Sequence, residues 1–383
     1  MTDCIVLDGL PLQVRSAGIG VYTEALVRHL AARHADTTFV LYGLAGPAAR
    51  LLRNGPQHSL PVNVRRADSA LYPLVMGYPL AGLPRLLPFR LRGDRAVLFH
   101  ATNYAAPRTG RVPLVVTVHD LALVRFPELG TPALRRIVGL ARPATAAARL
   151  VLADSESTAR DLRDLFGVSP GKIRVVYPGC DAHLPAPTVE AARQRLGQRF
   201  GLAAPYLLHV GTLEPRKNLP RLLGAYARVR ASGGDVPLLV LAGGRGWAAE
   251  AIERAVAALG LADAVRFTGA VEREDLAALY AAAELVVYPS LYEGFGLPVV
   301  EAMACGAPVV TSNVSSLPEV AGDAAVLVDP RDEAAIAAAI TELLRDDRAR
   351  AELRRRGLAR ARKFSWARCA EQTWTVYEEA RRA

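Results

Sequence analysis

The sequence predicts an α/β protein made of two doubly wound, Rossmann-like domains that face each other across a cleft. The chain has 383 residues, which is more than one ordinary core accommodates. Short β-branched runs alternate with stretches of helical period, which is typical of parallel sheets covered by helices. Residues 177–187 interrupt this alternation with three prolines and a glycine, and the pattern then begins again. We therefore place a connection between domains there.

The alternation divides the chain into residues 1–183 and residues 184–364, followed by an amphipathic helix at 365–383 that we expect to pack back on the first domain. The strands predicted in the first domain are 4–7, 37–42, 97–100, 114–118, 150–153 and 173–176. Those predicted in the second domain are 206–210, 238–242, 265–268, 285–288, 308–311 and 325–328. Ligands of doubly wound sheets bind beyond the carboxyl ends of the strands, so the site is expected in the loops that follow strands.

The formal net charge of +10 predicts an anionic partner. No helix-turn-helix, aromatic RNA-binding or zinc-finger pattern accompanies the charge, so we expect no nucleic-acid partner. The chain has no apolar run of the ~20 residues that a spanning helix needs, and its first 15 residues do not resemble a signal peptide. These features predict a cytoplasmic protein. The four cysteines form no C-x-x-C pair, which argues against a disulfide framework or a zinc site.

One basic stretch raises a membrane hypothesis. Residues 83–95 interleave leucine and phenylalanine with four arginines, which are Arg85, Arg90, Arg92 and Arg95. Such a stretch can lie on a lipid headgroup layer. Peripheral contact with the inner face of a membrane is therefore one interpretation, and a solvated surface loop is the other.

A glycine-containing loop before a predicted helix is the most informative local feature. Residues 290–301 read SLYEGFGLPVVE, with Glu293 in the loop and Glu301 about one turn into the helix. Gly294 and Gly296 let the backbone approach a ligand, and the free N–H groups of the first helical turn attract an anion. The two carboxylates could then accept hydrogen bonds from two polyols, as in a sugar diphosphate. A buried βα turn with local pairing of Glu301 is the alternative.

A second loop supplies positive charge. Residues 211–218 read GTLEPRKN and place Arg216 and Lys217 immediately before a helix. A cationic pair is unfavourable at a helix N-terminus unless an anion is present. We therefore assign both side chains to a diphosphate, for which Arg can offer two donors and Lys a point charge. The alternative is surface pairing with Glu214.

Two weaker signals follow strands of the first domain. Gly18 and Gly20 lie in a loop that is not a full G-x-G-x-x-G dinucleotide motif, and the N–H of Gly20 could approach a phosphate from the opposite domain. A flexible turn is the alternative. His119 could hydrogen-bond a reacting group, or it could be a packed and satisfied side chain.

Residues 206–330 resemble the nucleotide-binding half of the retaining glycosyltransferases of the GT-B fold, specifically family 4. The matching segments are GTLEPRKN (211–218), VRFTG (265–269), YPSLYEGFGLPVVE (288–301), APVVTS (307–312) and LPEVAG (317–322). The first domain is similar through the glycine loop, VHD (118–120) and ADSEST (153–158). The resemblance implies an N-terminal acceptor-binding domain and a C-terminal domain that binds a nucleotide sugar.

The resemblance also implies roles for the glycine loop and its helix. A nucleoside-diphosphate sugar would be the donor substrate, and no separate cofactor would take part. Glu293 would hold hydroxyls of the donor sugar and Glu301 the ribose. The backbone of Phe295, Gly296 and Leu297 would meet the sugar and the diphosphate.

Other matching positions extend this assignment. Arg266 and Phe267 would lie against the base, and His119 matches the family's histidine near the donor sugar. Arg216 and Lys217 match the basic diphosphate pair. Many relatives carry an arginine where this chain has Thr212, so phosphate binding would depend more heavily on the other two cations.

The expected function is a retaining, metal-independent hexosyltransferase. The form of residues 211–218 looks like a branch with many bacterial mannosyltransferases, which favours GDP-mannose over a UDP-sugar. The acceptor would be a hydroxyl of a glycan, a glycolipid or a small molecule. No D-x-D triplet occurs, so no metal site is predicted. Two alternatives are a nucleotide-sugar epimerase of GT-B-like fold and a basic, non-catalytic binding protein.

Overall fold

The structure is a computed structural model that describes residues 2–13, 17–45, 60–76, 94–180, 187–202 and 204–382. The chain forms two compact units. The first consists of Met1–Gly179 together with Trp366–Ala383, and the second is Cys180–Ser365. Most of the predicted connection, residues 181–186, lies outside the described residues.

The first unit contains a seven-stranded parallel sheet. Its strands are β1 (Asp3–Asp8), β2 (Thr38–Leu44), β3 (Val64–Ser69), β4 (Arg95–Ala101), β5 (Leu114–Val118), β6 (Leu150–Ala153) and β7 (Ile173–Val175). Their order is β3-β2-β1-β4-β5-β6-β7. In the centre, Val6 pairs with Val40 on one side and with Phe99 on the other. The sheet is therefore doubly wound, as predicted.

Strand β3 was not predicted, and its position explains why. It lies at the edge of the sheet and reads VRRADS, with Val64 buried and both arginines exposed. An edge strand buries little of its surface and tolerates such polar residues, so β3 lacks an apolar run, whereas the opposite edge strand β7 keeps enough apolar residues to have been predicted. Strand β5 shows the contrast, because all five of its residues are buried.

Helices connect the strands of the first sheet. They are α1 (Leu10–Gln13), α2 (Ala17–Arg33), α3 (Tyr72–Met76), α4 (Ala122–Arg125), α5 (Pro132–Gly139), α6 (Ala141–Ala147) and α7 (Glu156–Phe166). Local signals define α7 well. The Ser155 hydroxyl caps its first turn by accepting the Thr158 N–H, and Gly167 ends it in the left-handed conformation.

The second unit contains a six-stranded parallel sheet. Its strands are β8 (Tyr206–Val210), β9 (Leu238–Ala242), β10 (Val265–Gly269), β11 (Leu285–Tyr288), β12 (Val309–Ser312) and β13 (Val326–Val328). Its helices are α8 (Val189–Phe200), α9 (Leu219–Ala231), α10 (Ala249–Ala258), α11 (Arg273–Ala282), α12 (Leu297–Ala304), α13 (Leu317–Ala321), α14 (Glu333–Arg345) and α15 (Asp347–Ala361). The strand order is β10-β9-β8-β11-β12-β13. The prediction of two Rossmann-like domains is confirmed.

Each sheet has one point where the strand order reverses. In the first unit this point lies between β1 and β4, and in the second between β8 and β11. Such reversals open a crevice at the carboxyl ends of the two central strands, where ligands of this fold class bind. The loops after these four strands are thus the expected location of functional side chains.

One further helix, α16 (Trp366–Arg382), belongs to the first unit although it follows the second in sequence. Its buried face includes Trp366, whose ring lies edge-on to Tyr22 of α2 at 5.9 Å. The Tyr377 hydroxyl lies 2.6 Å from Nδ1 of the buried His100 on β4. The helix is therefore part of the first core.

The membrane hypothesis falls mainly outside the described residues. Arg85, Arg90 and Arg92 are not among them, whereas Arg95 begins β4 and forms a two-point ion pair with Asp3 at 2.6 and 2.7 Å. Arg95 is thus a strand residue with its own carboxylate partner and does not belong to a basic loop. Among the described helices, none has both the length and the apolar character needed to cross a bilayer.

Candidate active site

Two loops meet at the reversal point of the second sheet. One follows β8 and contains a short 3-10 helix, Pro215–Lys217, and the other follows β11. The Leu291 N–H donates to the Arg216 carbonyl at 2.9 Å, and the Asn218 amide donates to the Pro289 carbonyl at 3.0 Å. These bonds fix the two loops against each other. The two segments that sequence analysis singled out separately therefore form one structure.

Glu293 is the centre of a buried ion cluster in these loops. One carboxylate oxygen accepts hydrogen bonds from the Lys217 ammonium at 2.7 Å and the Tyr288 hydroxyl at 2.8 Å. The other oxygen accepts a hydrogen bond from the Arg216 guanidinium. Lys217 also donates to the Tyr288 oxygen at 2.5 Å. Arg216 makes a second ion pair with Glu214 at 2.7 Å. The cluster holds two cations and two carboxylates and is thus balanced.

The charges of the cluster determine its pKa values. Burial alone would raise the pKa of the Glu293 carboxyl, but the adjacent Arg216 and Lys217 cations outweigh burial and lower the pKa to about 2. Burial is the main reason that the pKa of Lys217 is lowered, and Arg216 adds to it while Glu293 opposes it. Glu293 is therefore ionised across the physiological range. Its negative charge is stabilised by Arg216 and Lys217. Sequence analysis had assigned these cations to the diphosphate of a ligand and Glu293 to its sugar.

A helix N-terminus lies beside the cluster. Helix α12 begins after Gly296, whose φ of +105° is in the left-handed region. The backbone N–H groups of Gly296 and Leu297 have no acceptor within the part of the chain that the structure describes. Both donors and the helix dipole favour an anion at this end.

The glycine turn is held in place from the loop after β12. The Glu293 N–H donates to the Ser315 hydroxyl at 3.0 Å. The Ser316 hydroxyl lies 2.9 Å from the Glu293 carbonyl and 2.8 Å from the Phe295 carbonyl. Ser315 has a φ of +56°, an unusual conformation for a residue other than glycine. The hydrogen bonds of Ser315 and Ser316 thus fix the backbone of the glycine loop before α12, and the surrounding structure holds Ser315 itself in its unusual conformation.

Gly296→Ala is expected to weaken binding of the nucleotide that the family resemblance implies. A Cβ at this position would lie 2.8 Å from Leu317 Cδ2, and φ is unfavourable for alanine. We expect the strain to lower the free energy of unfolding by about 1–2 kcal/mol and to displace the N–H donors. Calorimetric titration with GDP should show at least about a tenfold weaker affinity, which is roughly one lost charge-assisted bond.

Gly306→Ala is the matched control for this variant. Gly306 lies just beyond the other end of α12 with a φ of +74°, and a Cβ there would meet nothing within 4 Å. The strain from its positive φ is comparable, but it lacks the contact with Leu317 and lies at the opposite end of α12 from the N–H donors. Equal losses of GDP affinity in the two variants would contradict a binding role for the turn.

The remaining predicted residues of the second unit have different surroundings. Glu301 lies on α12, is half-buried and accepts the Tyr280 hydroxyl at 3.0 Å, and burial raises the pKa of its carboxyl. Thr212 lies in the loop after β8 and is partly exposed. On β10, Arg266 is exposed, whereas Phe267 packs partly buried against the core of the unit. Phe267 therefore packs against the core of its own unit, and its contact with a base stays a prediction.

The glycines of the first unit are placed differently from the prediction. Gly18 and Gly20 lie in the first turn of α2, which begins at Ala17, four residues earlier than the predicted start at residue 21. The sequence suggested a loop because glycine disfavours helix interiors. The structure nonetheless includes both glycines in the N-terminal turn of the helix.

His119 follows β5 and is hydrogen-bonded at both ring nitrogens. Its Nδ1 lies 2.7 Å from Asp154 Oδ2, and its Nε2 lies 2.8 Å from the Thr102 carbonyl oxygen. The Tyr22 ring lies edge-on to the imidazole at 4.8 Å. The side chain is 8% exposed. His119 therefore has the packed, satisfied surroundings that sequence analysis gave as one of two interpretations.

Sequence reasoning missed several partners of the predicted residues. Tyr288 was seen only as the last residue of a strand and the first of a matching segment, and Asp154 only as part of a matching segment. Thr102 contributes a backbone carbonyl, for which no side-chain pattern gives a signal. Among the described residues, no group of three or more His, Cys, Asp or Glu side chains could hold a metal ion.

Family models match both halves of the chain. Residues 16–184 match the model described as Glycosyltransferase Family 4, and residues 193–363 match the model described as Glycosyl transferases group 1. The second range includes the reversal point of the second sheet and the ion cluster, whereas β1 precedes the first range.

Curated relatives are similar over nearly the full length. The O-antigen chain mannosyltransferase B of Escherichia coli is 35% identical over 386 residues, covering 98% of this chain and 99% of the relative. A D-inositol 3-phosphate glycosyltransferase of Acidothermus cellulolyticus is 33% identical over 405 residues, covering 95% and 86%.

Solved structures share the fold. A sucrose-phosphate synthase from Thermosynechococcus elongatus has a TM-score of 0.78 and 25% identity, with 99% of both chains covered. Anabaena HepE in complex with UDP-glucose has a TM-score of 0.71 and 22% identity, with 99% of this chain and 100% of HepE covered.

Proposed function

We propose that this chain, which belongs to glycosyltransferase family 4 and has its GT-B fold, transfers mannose from GDP-mannose to a hydroxyl group of a growing glycan. Family membership makes the chain a glycosyltransferase, and the donor, the acceptor and the stereochemistry are the proposal. The observation that carries it is the cluster of Arg216, Lys217 and Glu293 beside the N-terminus of α12.

The diphosphate of the donor is assigned to the two cations and the helix end. Lys217 and Arg216 are fixed in a buried setting, where a charge interacts more strongly than in water. The N–H groups of Gly296 and Leu297 add two neutral donors. Because the diphosphate gains negative charge as the glycosidic bond lengthens, these groups stabilise the transition state more than the ground state.

Glu293 changes partner in this proposal. In the structure its carboxylate neutralises Lys217 and Arg216. Phosphate oxygens would take over part of that role, so the carboxylate could accept hydrogen bonds from hydroxyls of the donor sugar. Glu301, one turn further along α12, is assigned to the ribose, and Arg266 with Phe267 to the base.

Transfer with retention is proposed to occur on one face of the sugar. The bond between the anomeric carbon and the phosphate oxygen breaks, and a bond forms between that carbon and the acceptor oxygen. The acceptor proton passes to the departing phosphate. In this proposal Glu293 accepts hydrogen bonds from sugar hydroxyls and keeps part of its pairing with the cations, so it is poorly suited as a covalent nucleophile, unlike the second carboxylate of a retaining hydrolase.

The first unit is proposed to bind the acceptor. His119 is assigned to the donor sugar, and the first turn of α2, with Gly18 and Gly20, to the departing phosphate. The mannosyltransferase relative that acts on an O-antigen chain supports a polysaccharide acceptor, although a glycolipid or small metabolite has the same reacting hydroxyl. Peripheral contact with an anionic membrane also stays a proposal, which cosedimentation with phosphatidylglycerol vesicles tests.

The experiment that tests the donor is a transfer assay combined with a binding panel. Thermal unfolding would be recorded with GDP, UDP, GDP-mannose and UDP-glucose, and release of nucleoside diphosphate would be followed with glycan acceptors. GDP and GDP-mannose should stabilise the protein most, and release should require an acceptor. Release of an isomerised donor without acceptor would instead indicate the epimerase activity.

Activity is expected to be independent of a divalent metal ion. The chain has no D-x-D triplet, and the described residues contain no cluster of metal-ligating side chains. The charge compensation that a metal ion supplies in other transferases is assigned here to Arg216 and Lys217. Initial rates with excess EDTA should equal those without it, and complete loss that Mg²⁺ restores would contradict this assignment.

A further inference from the structure

We propose that Asp154 is a positioning residue that keeps His119 protonated on both ring nitrogens and fixed in one orientation. The inference rests on the proposed function, in which His119 contacts the donor sugar. It adds a residue that the function did not include and a defined charge state for the imidazole.

The acceptors around the ring determine where its protons lie. The Thr102 carbonyl, 2.8 Å from Nε2, can only accept a hydrogen bond, so Nε2 must carry a hydrogen. Asp154 Oδ2 lies 2.7 Å from Nδ1; burial raises the pKa of this carboxyl and His119 opposes the rise, and the ionised carboxylate accepts the second hydrogen. An imidazolium satisfies both contacts. A ring with a free Nε2 lone pair, as a general base requires, does not.

The segment that carries Asp154 also holds the backbone of His119. Ser155 caps α7 by accepting the Thr158 N–H at 3.0 Å. This cap places the Thr158 hydroxyl 3.3 Å from the His119 carbonyl, to which it donates. Residues 154–158 thus hydrogen-bond both the side chain and the main chain of His119. Sequence analysis recognised this segment without assigning it a role.

The burial of Asp154 argues against a merely structural role. The residue is 5% exposed, and its Oδ1 has no hydrogen-bond partner among the described residues. A buried carboxylate with an unsatisfied oxygen is destabilising, and a well-packed apolar residue would serve the core better. The ion pair with His119 is the interaction that accounts for its presence.

Few charged groups other than Asp154 lie near enough to His119 to influence its protonation. The titratable side chains that face the pair from the surrounding elements are Asp120, Tyr22, His100, Cys369 and Tyr377. Burial, assisted by His119, lowers the pKa of His100 to about 3, so its ring is neutral. Burial raises the pKa values of Tyr22, Cys369 and Tyr377, which stay neutral as well. Asp120 is thus the carboxylate to compare with Asp154.

The sign of the pH effect follows from these contacts. Burial alone would lower the pKa of His119, but the Asp154 carboxylate and the Thr102 carbonyl outweigh it and raise the pKa. A group with a raised pKa keeps its proton to higher pH and loses it as the pH rises through that value. A fixed cation beside the donor sugar would favour the departing anion, so activity should fall on the alkaline side.

The test combines NMR spectra with rate measurements on wild type, Asp154→Asn and a control variant. Long-range ¹H–¹⁵N spectra of histidine-labelled wild type, assigned with His119→Gln, should show both His119 nitrogens protonated at pH 7. In Asp154→Asn, which keeps the shape and removes the charge, the His119 pKa should fall by at least about one unit. The alkaline limb of the pH profile of kcat should shift to lower pH by the same number of pH units. At a pH above the His119 pKa of both proteins, kcat should be about tenfold lower in the variant, with KM for GDP-mannose nearly unchanged.

Asp120→Asn is the matched control. Asp120 caps the next turn by accepting the Ala122 N–H at 3.0 Å and does not bond the imidazole. The variant removes the same charge one residue away and should shift both profiles much less. An unprotonated His119 nitrogen in wild type, or the same shift in both variants, would overturn the proposal.

The two proposals can fail separately. The spectrum of wild-type protein requires neither a variant that folds nor a known substrate, so it tests the ion pair alone. An inactive wild type with every donor would refute the proposed function and leave the NMR result standing. A lowered His119 pKa in Asp154→Asn with an unchanged kcat profile would show that the pair has no role in transfer.

Discussion

Lys217→Ala is expected to lower kcat/KM for transfer by about 10²–10³, the typical effect of removing one preorganised charge-stabilising contact. The Lys217 side chain is 8% exposed and is fixed by Glu293 and Tyr288, so little reorganisation is needed when charge develops on the diphosphate. A water molecule in place of the ammonium could not supply a positive charge. Most of the loss should appear in kcat, because the contact strengthens in the transition state.

Two comparisons make this result specific. Arg228→Ala removes the same charge from the exposed side of α9, where Arg228 pairs with Glu333, and should leave kcat/KM within about twofold, as is usual for exposed pairs. Calorimetric titration with GDP should show weaker binding to Lys217→Ala only. Near-normal turnover in Lys217→Ala would remove the basis for the diphosphate assignment.

Glu293→Gln is expected to lower the free energy of unfolding at pH 7 by about 3 kcal/mol, because it leaves two cations with one carboxylate in a buried cluster. The pKa of Glu293 gives a similar magnitude. Its value of about 2, compared with an ordinary 4.5, corresponds to about 3 kcal/mol of stabilisation. Urea unfolding followed by circular dichroism measures this quantity.

The acid dependence distinguishes this charge effect from a packing defect. A depressed pKa contributes stability above the ordinary value and loses it as the pH falls through the folded value. The difference between wild type and Glu293→Gln should therefore shrink between about pH 4.5 and pH 2. A difference that stays constant over this range would indicate lost packing instead.

Nucleotide should partly rescue the same variant. The diphosphate of GDP would neutralise the cations that the missing carboxylate leaves unpaired, so the rise in Tm with saturating GDP should be larger in Glu293→Gln than in wild type. Glu214→Gln is the comparison, because Glu214 pairs with Arg216 alone among the two cations. It should show a smaller loss of stability and a smaller rescue.

The fold could be predicted because buried parallel strands carry a local signal. All twelve strands predicted correspond to strands of the two sheets, since each inner strand is a short, nearly continuous apolar run. The signal failed at the edge of the first sheet, where β3 exposes Arg65 and Arg66. Edge strands are stabilised by one neighbour's backbone, which sequence pattern does not record.

The site could be predicted to the level of loops but not of contacts. Gly296 and the basic pair stand out because a glycine and two adjacent cations, each shortly before a predicted helix, are visible in the sequence. Their partners do not. No sequence pattern joins Tyr288 to Lys217, since the two are 71 positions apart and meet only when β8 and β11 pair. For Arg216 the alternatives were a diphosphate and surface pairing with Glu214, whereas the structure pairs it with both Glu214 and Glu293.

Helix α16 imposes an order on biosynthesis. Residues 366–382 leave the ribosome after both sheets have been made, yet Tyr377 completes the hydrogen bond to His100 in the half that was made first. That half therefore cannot finish folding while the other is still being translated, although domains usually fold as they emerge. We expect an affinity tag fused directly after this helix to disturb the surroundings of His119 sooner than those of Lys217.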